Sequence, residues 1–152
     1  MRGSFCALSS VAVFAVSVLM TSIASAETYD GTRIIIIDGD TIALPCDTPY
    51  RDCAEKVRLT EIDAPETFSP SCEAERTAGL VAKERLAALI RAGKVEITRS
   101  GIDRYGRTLG NVQTVAGDAG TVLLKEKLVL PYVPGRDAKL ERIAYWCAPA
   151  KW

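Results

Sequence analysis

The sequence predicts a small α+β fold, and three observations carry that prediction. Short β-branched runs recur between turn residues, and two stretches place apolar residues at helical spacing. The order along the chain is three strands, a helix, two strands and a second helix. That order matches a five-stranded OB-type barrel with packed helices. Periodicity alone does not separate this barrel from another small α+β fold.

The first strand is expected over Thr32–Ile37, a β-branched run bounded by Gly31 and the turn dipeptide Asp38-Gly39. Thr41–Leu44 resumes extended character beyond the turn, so the pair reads as a hairpin. Pro45 to Ala54, with Pro49, Tyr50 and two cysteines, reads as a loop. Lys56–Ile62 is a third strand, in which Val57 and Leu59 alternate with Lys56, Arg58 and Thr60. A helix then starts with Ser69 as N-cap and Pro70 at the first helical position, and Glu73 and Glu75 meet the positive end of its dipole. Ala78, Ala82, Leu86 and Leu89 make one apolar stripe, and Gly93 is the stop. Val95–Thr98 and Thr108–Val115 read as strands joined by the polar turn Ser100–Gly106. Thr121–Leu130 reads as a shorter helix, ended by Pro131 to Gly135.

Residues 1–26 are expected to be an export signal and residues 27–152 the folded domain. Arg2 gives a positive start, Val11–Met20 an apolar stretch, and Ala24-Ser25-Ala26 a small-x-small cleavage pattern. The alternative, a membrane anchor, is disfavoured because the apolar run is short for a bilayer and Thr21 and Ser22 follow at once. The mature chain is thus expected to be soluble and monomeric, with no membrane association, and either secreted or periplasmic.

Four cysteines remain after the signal: Cys46, Cys53, Cys72 and Cys147. An even count in a small exported domain points to disulfides. A zinc site is disfavoured because no close CxxC pairs occur. Of the three possible pairings, the favoured one joins Cys46 to Cys53 across a local loop. It also joins Cys72 to Cys147, tying the tail to the start of a helix.

The chain carries 19 basic and 19 acidic residues; loss of Arg2 leaves the domain with 18 basic ones and a net charge of −1. General polyanion binders carry a positive excess. A grip on nucleic acid would here rest on a few arginines and a bound cation. The chain has no histidine, which excludes histidine acid–base pairs, Ser-His-Asp triads and histidine-ligated zinc. Carboxylates, arginines, tyrosines and a metal are what remain.

Three short segments hold such residues: Asp38-Gly39-Asp40-Thr41, Arg58 to Glu66 and Asp103-Arg104-Tyr105-Gly106-Arg107. Alone, each reads as a turn or a charged hairpin tip. Together they supply two aspartates for a hard cation, a glutamate to activate water and two arginines to grip phosphate. Alternation puts Arg58 on the polar side of its strand, five residues before Asp63.

These three segments, in this order and at this spacing, resemble the staphylococcal nuclease family. The resemblance runs from about Gly31 to about Tyr132. It implies an OB-fold five-stranded barrel with two to three packed helices, and a nuclease that cleaves DNA and RNA at P–O5′ to leave 3′-phosphates. It further implies that Asp40, Asp63 and the carbonyl of Ala64 hold Ca2+, which takes loose shells of oxygen ligands. Glu66 would be the general base, with Arg58 and Arg107 stabilising the transition state. Arg104, Tyr105 and Tyr132 would bind substrate, single-stranded DNA or RNA for preference. Ala64 stands where many members have threonine, Arg104 where they have lysine, and the Cys46–Cys53 loop reads as an insertion. The family's C-terminal helix reads as shortened and replaced by a segment ending in Trp146-Cys147. The rival expectation is a non-catalytic OB-fold module of the cell envelope that binds nucleic acid or protein.

Overall fold

A strand outside the predicted set opens the domain. The computed structural model describes residues 26–46 and 53–148. In it β1 (Ala26–Asp30) pairs antiparallel with β6 (Lys94–Ile102). All but the last residue of the expected export signal, and most of the expected 45–54 loop, lie outside the described residues.

The predicted hairpin is present as β2 (Ile35–Asp38) and β3 (Thr41–Ala43). Its first strand starts later than expected. Gly31–Arg33 form a 3-10 turn whose start is capped by Asp30, whose carboxylate accepts from the Thr32 N–H at 2.9 Å. The expected third strand is divided into β4 (Lys56–Leu59) and β5 (Ile62–Asp63). Glu61 between them has φ of 65°, a left-handed value that ends regular pairing and explains why Ile62 falls out of phase with Val57 and Leu59.

β7 (Thr108–Thr114) pairs antiparallel with β6 and parallel with β4. The sheet runs β1-β6-β7-β4-β3-β2 and curls into a half-barrel, with the short β8 (Gly117–Asp118) beside β7. Its path ends on β1 and β2, so the described strands do not close hydrogen bonding around a full barrel. A separate ribbon pairs β5 with β9 (Leu130–Pro131). The α+β, OB-type architecture is therefore present, with short strands added to the predicted five.

Three helices pack on it. α1 (Glu73–Arg91) buries Gly79, Ala82, Leu86, Leu89 and Ile90, close to the predicted stripe. Its cap lies three residues beyond the expected Ser69. Cys72 is the N-cap, its Sγ accepting from the Glu75 N–H, and the Glu75 carboxylate reaches back to the Ser71 N–H at 2.5 Å. That reciprocal pair outweighs the Ser69-Pro70 signal. α2 spans Ala119–Lys125, capped by Asp118, and so stops short of the expected Leu130. α3 (Arg136–Cys147) corrects the expectation of a replaced C-terminal helix: the segment is helical for 12 residues. The core between sheet and α1 includes Ile42, Val57, Leu86, Ile90, Ile97 and Val112, all fully buried. Truncating one of the leucines or isoleucines to alanine there costs about 2–5 kcal/mol.

Both expected disulfides form, Cys46–Cys53 and Cys72–Cys147. Two glycines bring the site-bearing segments together by close approach. A Cβ on Gly39 would stand 2.8 Å from the Ala64 Cβ and 2.9 Å from the Ala82 Cβ. A Cβ on Gly79 would stand 2.6 Å from the Pro65 carbonyl oxygen. The hairpin turn, the 64–66 segment and α1 can meet only because those side chains are absent.

Candidate active site

Strand pairing sets the first contacts of the site. Thr41 of β3 lies opposite Arg58 of β4, and the Leu59 N–H donates to the Asp40 carbonyl at 2.8 Å. This places the Arg58 side chain against Asp40, with Nη1 2.6 Å from Oδ2. The second fork of Arg58 reaches Asp63 Oδ1 at 3.1 Å, so one guanidinium bridges the two predicted cation ligands. Asp40 is buried; its Oδ1 accepts from the Thr41 hydroxyl at 2.9 Å and its Oδ2 from the Ala64 N–H at 2.7 Å. That last bond ties the hairpin to the 62–66 turn, where Thr67 also donates to Asp38 at 3.1 Å.

Burial pushes the Asp40 carboxyl upward in pKa, opposed chiefly by Arg58 and then by the Ala64 N–H. Burial also raises Asp63, against the pull of Arg142 and Arg58. Glu66 differs from both. Its outer surface is open to solvent, its carboxyl is partly enclosed, and it makes no hydrogen bond or ion pair among the described residues. Desolvation raises its pKa, and the carboxylates of Asp38, Asp40, Asp63 and Glu75 raise it further. A carboxylate poised in this way is a stronger base than an ordinary one.

The third segment forms the tip between β6 and β7. Asp103 accepts from the Tyr105 and Arg107 N–H groups at 2.8 and 2.9 Å, and pairs with Arg107 Nε at 2.7 Å. Arg107 is thereby held over the Tyr105 ring, 5.5 Å from its centroid, and Arg104 lies 4.8 Å from the same ring. Tyr105 and Tyr132 are both mostly exposed, as stacking platforms for bases must be. Backbone pairing of the Tyr132 N–H to the Glu61 carbonyl at 2.8 Å brings that tyrosine to the groove.

Every predicted site residue lines one cavity of about 950 Å³: Asp40, Arg58, Asp63, Ala64, Glu66, Arg104, Tyr105, Arg107 and Tyr132. Sequence reasoning missed further lining residues, among them Asp38 and Glu75 and, on α3, Arg136, Lys139 and Arg142. Arg142 pairs with the Asp63 carboxylate and donates to the Val133 carbonyl at 2.9 Å. Their signal was present as basic residues at i, i+3 and i+6, in a segment whose helix reads from sequence as shortened and replaced.

The residues fit a hard dication. Asp40, Asp63 and the Ala64 carbonyl are oxygen donors only, and the surplus of carboxylates around Glu66 is charge that a cation would relieve. Among the described residues no three acidic, histidine or cysteine side chains converge into a metal cluster. A cation here would complete its shell with the backbone carbonyl and water.

The family model described as staphylococcal nuclease homologue matches residues 56–143, more than half of the chain. This chain belongs to the staphylococcal nuclease family. It is 29 % identical to a protein named micrococcal nuclease from Shigella flexneri over 170 aligned positions, which cover 98 % of this chain and 90 % of that protein. It is 39 % identical to protein ParB of Escherichia coli over 112 positions, 73 % of this chain and 55 % of ParB. The matched span of this staphylococcal nuclease-family chain carries Arg58, Asp63, Ala64, Glu66, Arg104, Tyr105, Arg107 and Tyr132. Asp40 lies before it, joined to it through Arg58 and the Ala64 N–H.

Proposed function

We propose that this protein is an exported, calcium-dependent endonuclease that hydrolyses single-stranded DNA and RNA at the P–O5′ bond and leaves 3′-phosphates. The observation that carries the reading is Glu66. It is an unpaired carboxylate of raised pKa, in the same groove as two arginines and two aspartates suited to hold a dication. Family membership supports the reading further.

In this reading Glu66 takes the proton from an attacking water. Arg58 and Arg107 exchange carboxylate partners for the non-bridging phosphate oxygens, where charge accumulates as the fifth oxygen bonds to phosphorus. Arg107 also faces the departing 5′-oxygen, which leaves as the P–O5′ bond breaks and takes its proton from solvent water. Their present pairs with Asp40, Asp63 and Asp103 hold both forks in place before substrate arrives. A calcium ion bound by Asp40, Asp63 and the Ala64 carbonyl would supply Lewis-acid polarisation of the phosphate. Tyr105 and Tyr132 offer ring faces to the flanking bases. The two disulfides suit an oxidising compartment, secreted or periplasmic.

The test is incubation of the mature protein with single-stranded DNA and with RNA at low salt, with calcium or with a chelator. Calcium-dependent cutting with 3′-phosphate ends is the expected result. No calcium-dependent cutting of either polymer would overturn the reading.

A further inference from the structure

No residue of α3 is fully buried, while Ala138, Arg142, Ile143, Trp146 and Cys147 are half-buried. Two anchors hold it: the Cys72–Cys147 disulfide to the start of α1, and Arg142, paired with Asp63 and the Val133 carbonyl. Arg136 and Lys139 precede both anchors and recur with Arg142 at i, i+3 and i+6, and so share one face of the helix. That face lines the groove. Arg142 is committed to Asp63, whereas Arg136 and Lys139 are exposed and have no ion-pair partner among the described residues. Two unneutralised cations thus stand on the wall of a cavity whose catalytic arginines already have carboxylate partners.

Helical rise separates Arg136 from Lys139 by about 4.5 Å along the axis. At about 3.4 Å of rise per nucleotide in a stacked strand, that is close to the spacing of neighbouring phosphates. The domain's overall charge balance offers no general attraction for a polyanion. Local cations on the groove wall are therefore where grip on a longer strand must come from.

We infer that the groove-facing side of α3 is a second phosphate-binding site, in which Arg136 and Lys139 contact the backbone of a single-stranded substrate beyond the scissile phosphate. The inference rests on the nuclease reading for its substrate. It goes beyond that reading in assigning length discrimination to α3, held in place by the Cys72–Cys147 disulfide.

The test compares the parent with Arg136→Ala/Lys139→Ala in two measurements. The first is equilibrium binding of a fluorescent oligodeoxynucleotide of about 20 nucleotides, with a chelator present, across a salt series. Loss of two phosphate contacts should reduce the slope of log affinity against log salt by about 1.4. The second is the ratio of kcat/KM on that strand to kcat/KM on a strand of about four nucleotides, which should fall at least roughly ten-fold, about 1.4 kcal/mol for the two exposed contacts together. The charge-preserving Arg136→Lys/Lys139→Arg protein should keep the parental slope, which loss of helix structure would not allow. Cutting with an unchanged slope and an unchanged length ratio overturns the α3 site and leaves the nuclease reading standing. A reduced slope in a protein that never cuts supports the α3 site and overturns the nuclease reading.

Discussion

Beside β1 and β6, Arg99 donates to both carboxylate oxygens of Glu55 at 2.8 and 2.7 Å and to the Tyr29 hydroxyl at 2.9 Å, and pairs with Glu27 at 3.2 Å. In the groove, Arg58 bridges Asp40 and Asp63 with similar geometry. The two clusters nevertheless differ in sign. Hydrogen bonding to Arg99 holds Glu55 below the ordinary carboxylate range, and the Tyr29 hydroxyl followed by Arg99 does the same for Glu27. In the groove, burial and mutual repulsion push Asp40, Asp63 and Glu66 upward. Each guanidinium serves two acids, so the difference lies in how deep those acids sit and in the further carboxylates, Asp38, Glu66 and Glu75, that crowd the groove. A cluster whose acids are all paired stabilises the fold; one that keeps a surplus, unpaired carboxylate holds basicity ready for chemistry.

That contrast can be broken most forcefully at Glu66. Glu66→Gln should lower kcat by about 10²–10⁴-fold with the circular dichroism spectrum unchanged, whereas Glu55→Gln should leave turnover near the parental value. Arg107→Ala should lower turnover by about 10²–10³-fold, as expected when a charged donor to the transition state is lost. Equal turnover in Glu66→Gln and Glu55→Gln would erase the functional distinction between the clusters.

The next effect in size concerns the wall that only the groove possesses. Removing the Cys72–Cys147 bond as Cys72→Ser/Cys147→Ser should cost about 4 kcal/mol in the chain-entropy model, against about 2 kcal/mol for the short Cys46–Cys53 loop. Urea titrations of the two variants measure both. Smaller still, Glu55→Gln should destabilise by about 1 kcal/mol near neutral pH, read by the same titration.

The subtlest distinction is the direction of pH dependence, measured with a chelator present. Glu55 has a lowered folded value, so its contribution is complete above the unfolded value near 4.5 and is lost as pH falls through the folded one. Glu66 has a raised folded value. The folded state holds that proton more tightly, so its favourable contribution is complete below 4.5 and is lost as pH rises through the folded value. Glu66→Gln should therefore be slightly more stable than the parent at neutral pH, while Glu55→Gln is less stable. The same sign of change in both would show that the two clusters are electrostatically alike.

Much of this was legible in the order of residues because it depends on local chemistry. Asp38-Gly39 announces its turn, and the alternation of Val57 and Leu59 with Arg58 announces which side of the strand is polar. The Ala82-Leu86-Leu89 stripe announces the buried side of α1. The site motifs were legible because each occupies a short segment whose neighbours are themselves constrained. The α1 cap was misplaced because Cys72 and Glu75 act through a reciprocal bond and a distant disulfide partner, which a propensity for serine does not register. β1 was missed because its strand character comes from pairing with β6 rather than from its own residues, three of which, Ala26, Glu27 and Asp30, are poor strand formers.

By itself, the sequence determined the hairpin, the main helix, an even set of cysteines available for pairing and the set of acids and arginines available for chemistry. Those follow from side-chain type and spacing over a few residues. Only the tertiary structure decided that Arg58 bridges Asp40 and Asp63, that Glu66 has no hydrogen-bond or ion-pair partner among the described residues, and that α3 lays Arg136, Lys139 and Arg142 along the groove. Charge pairing depends on distances of a few ångströms between segments far apart in the chain, and such distances are set by packing: Gly39 and Gly79 allowing close approach, and a disulfide holding a helix none of whose residues is fully buried.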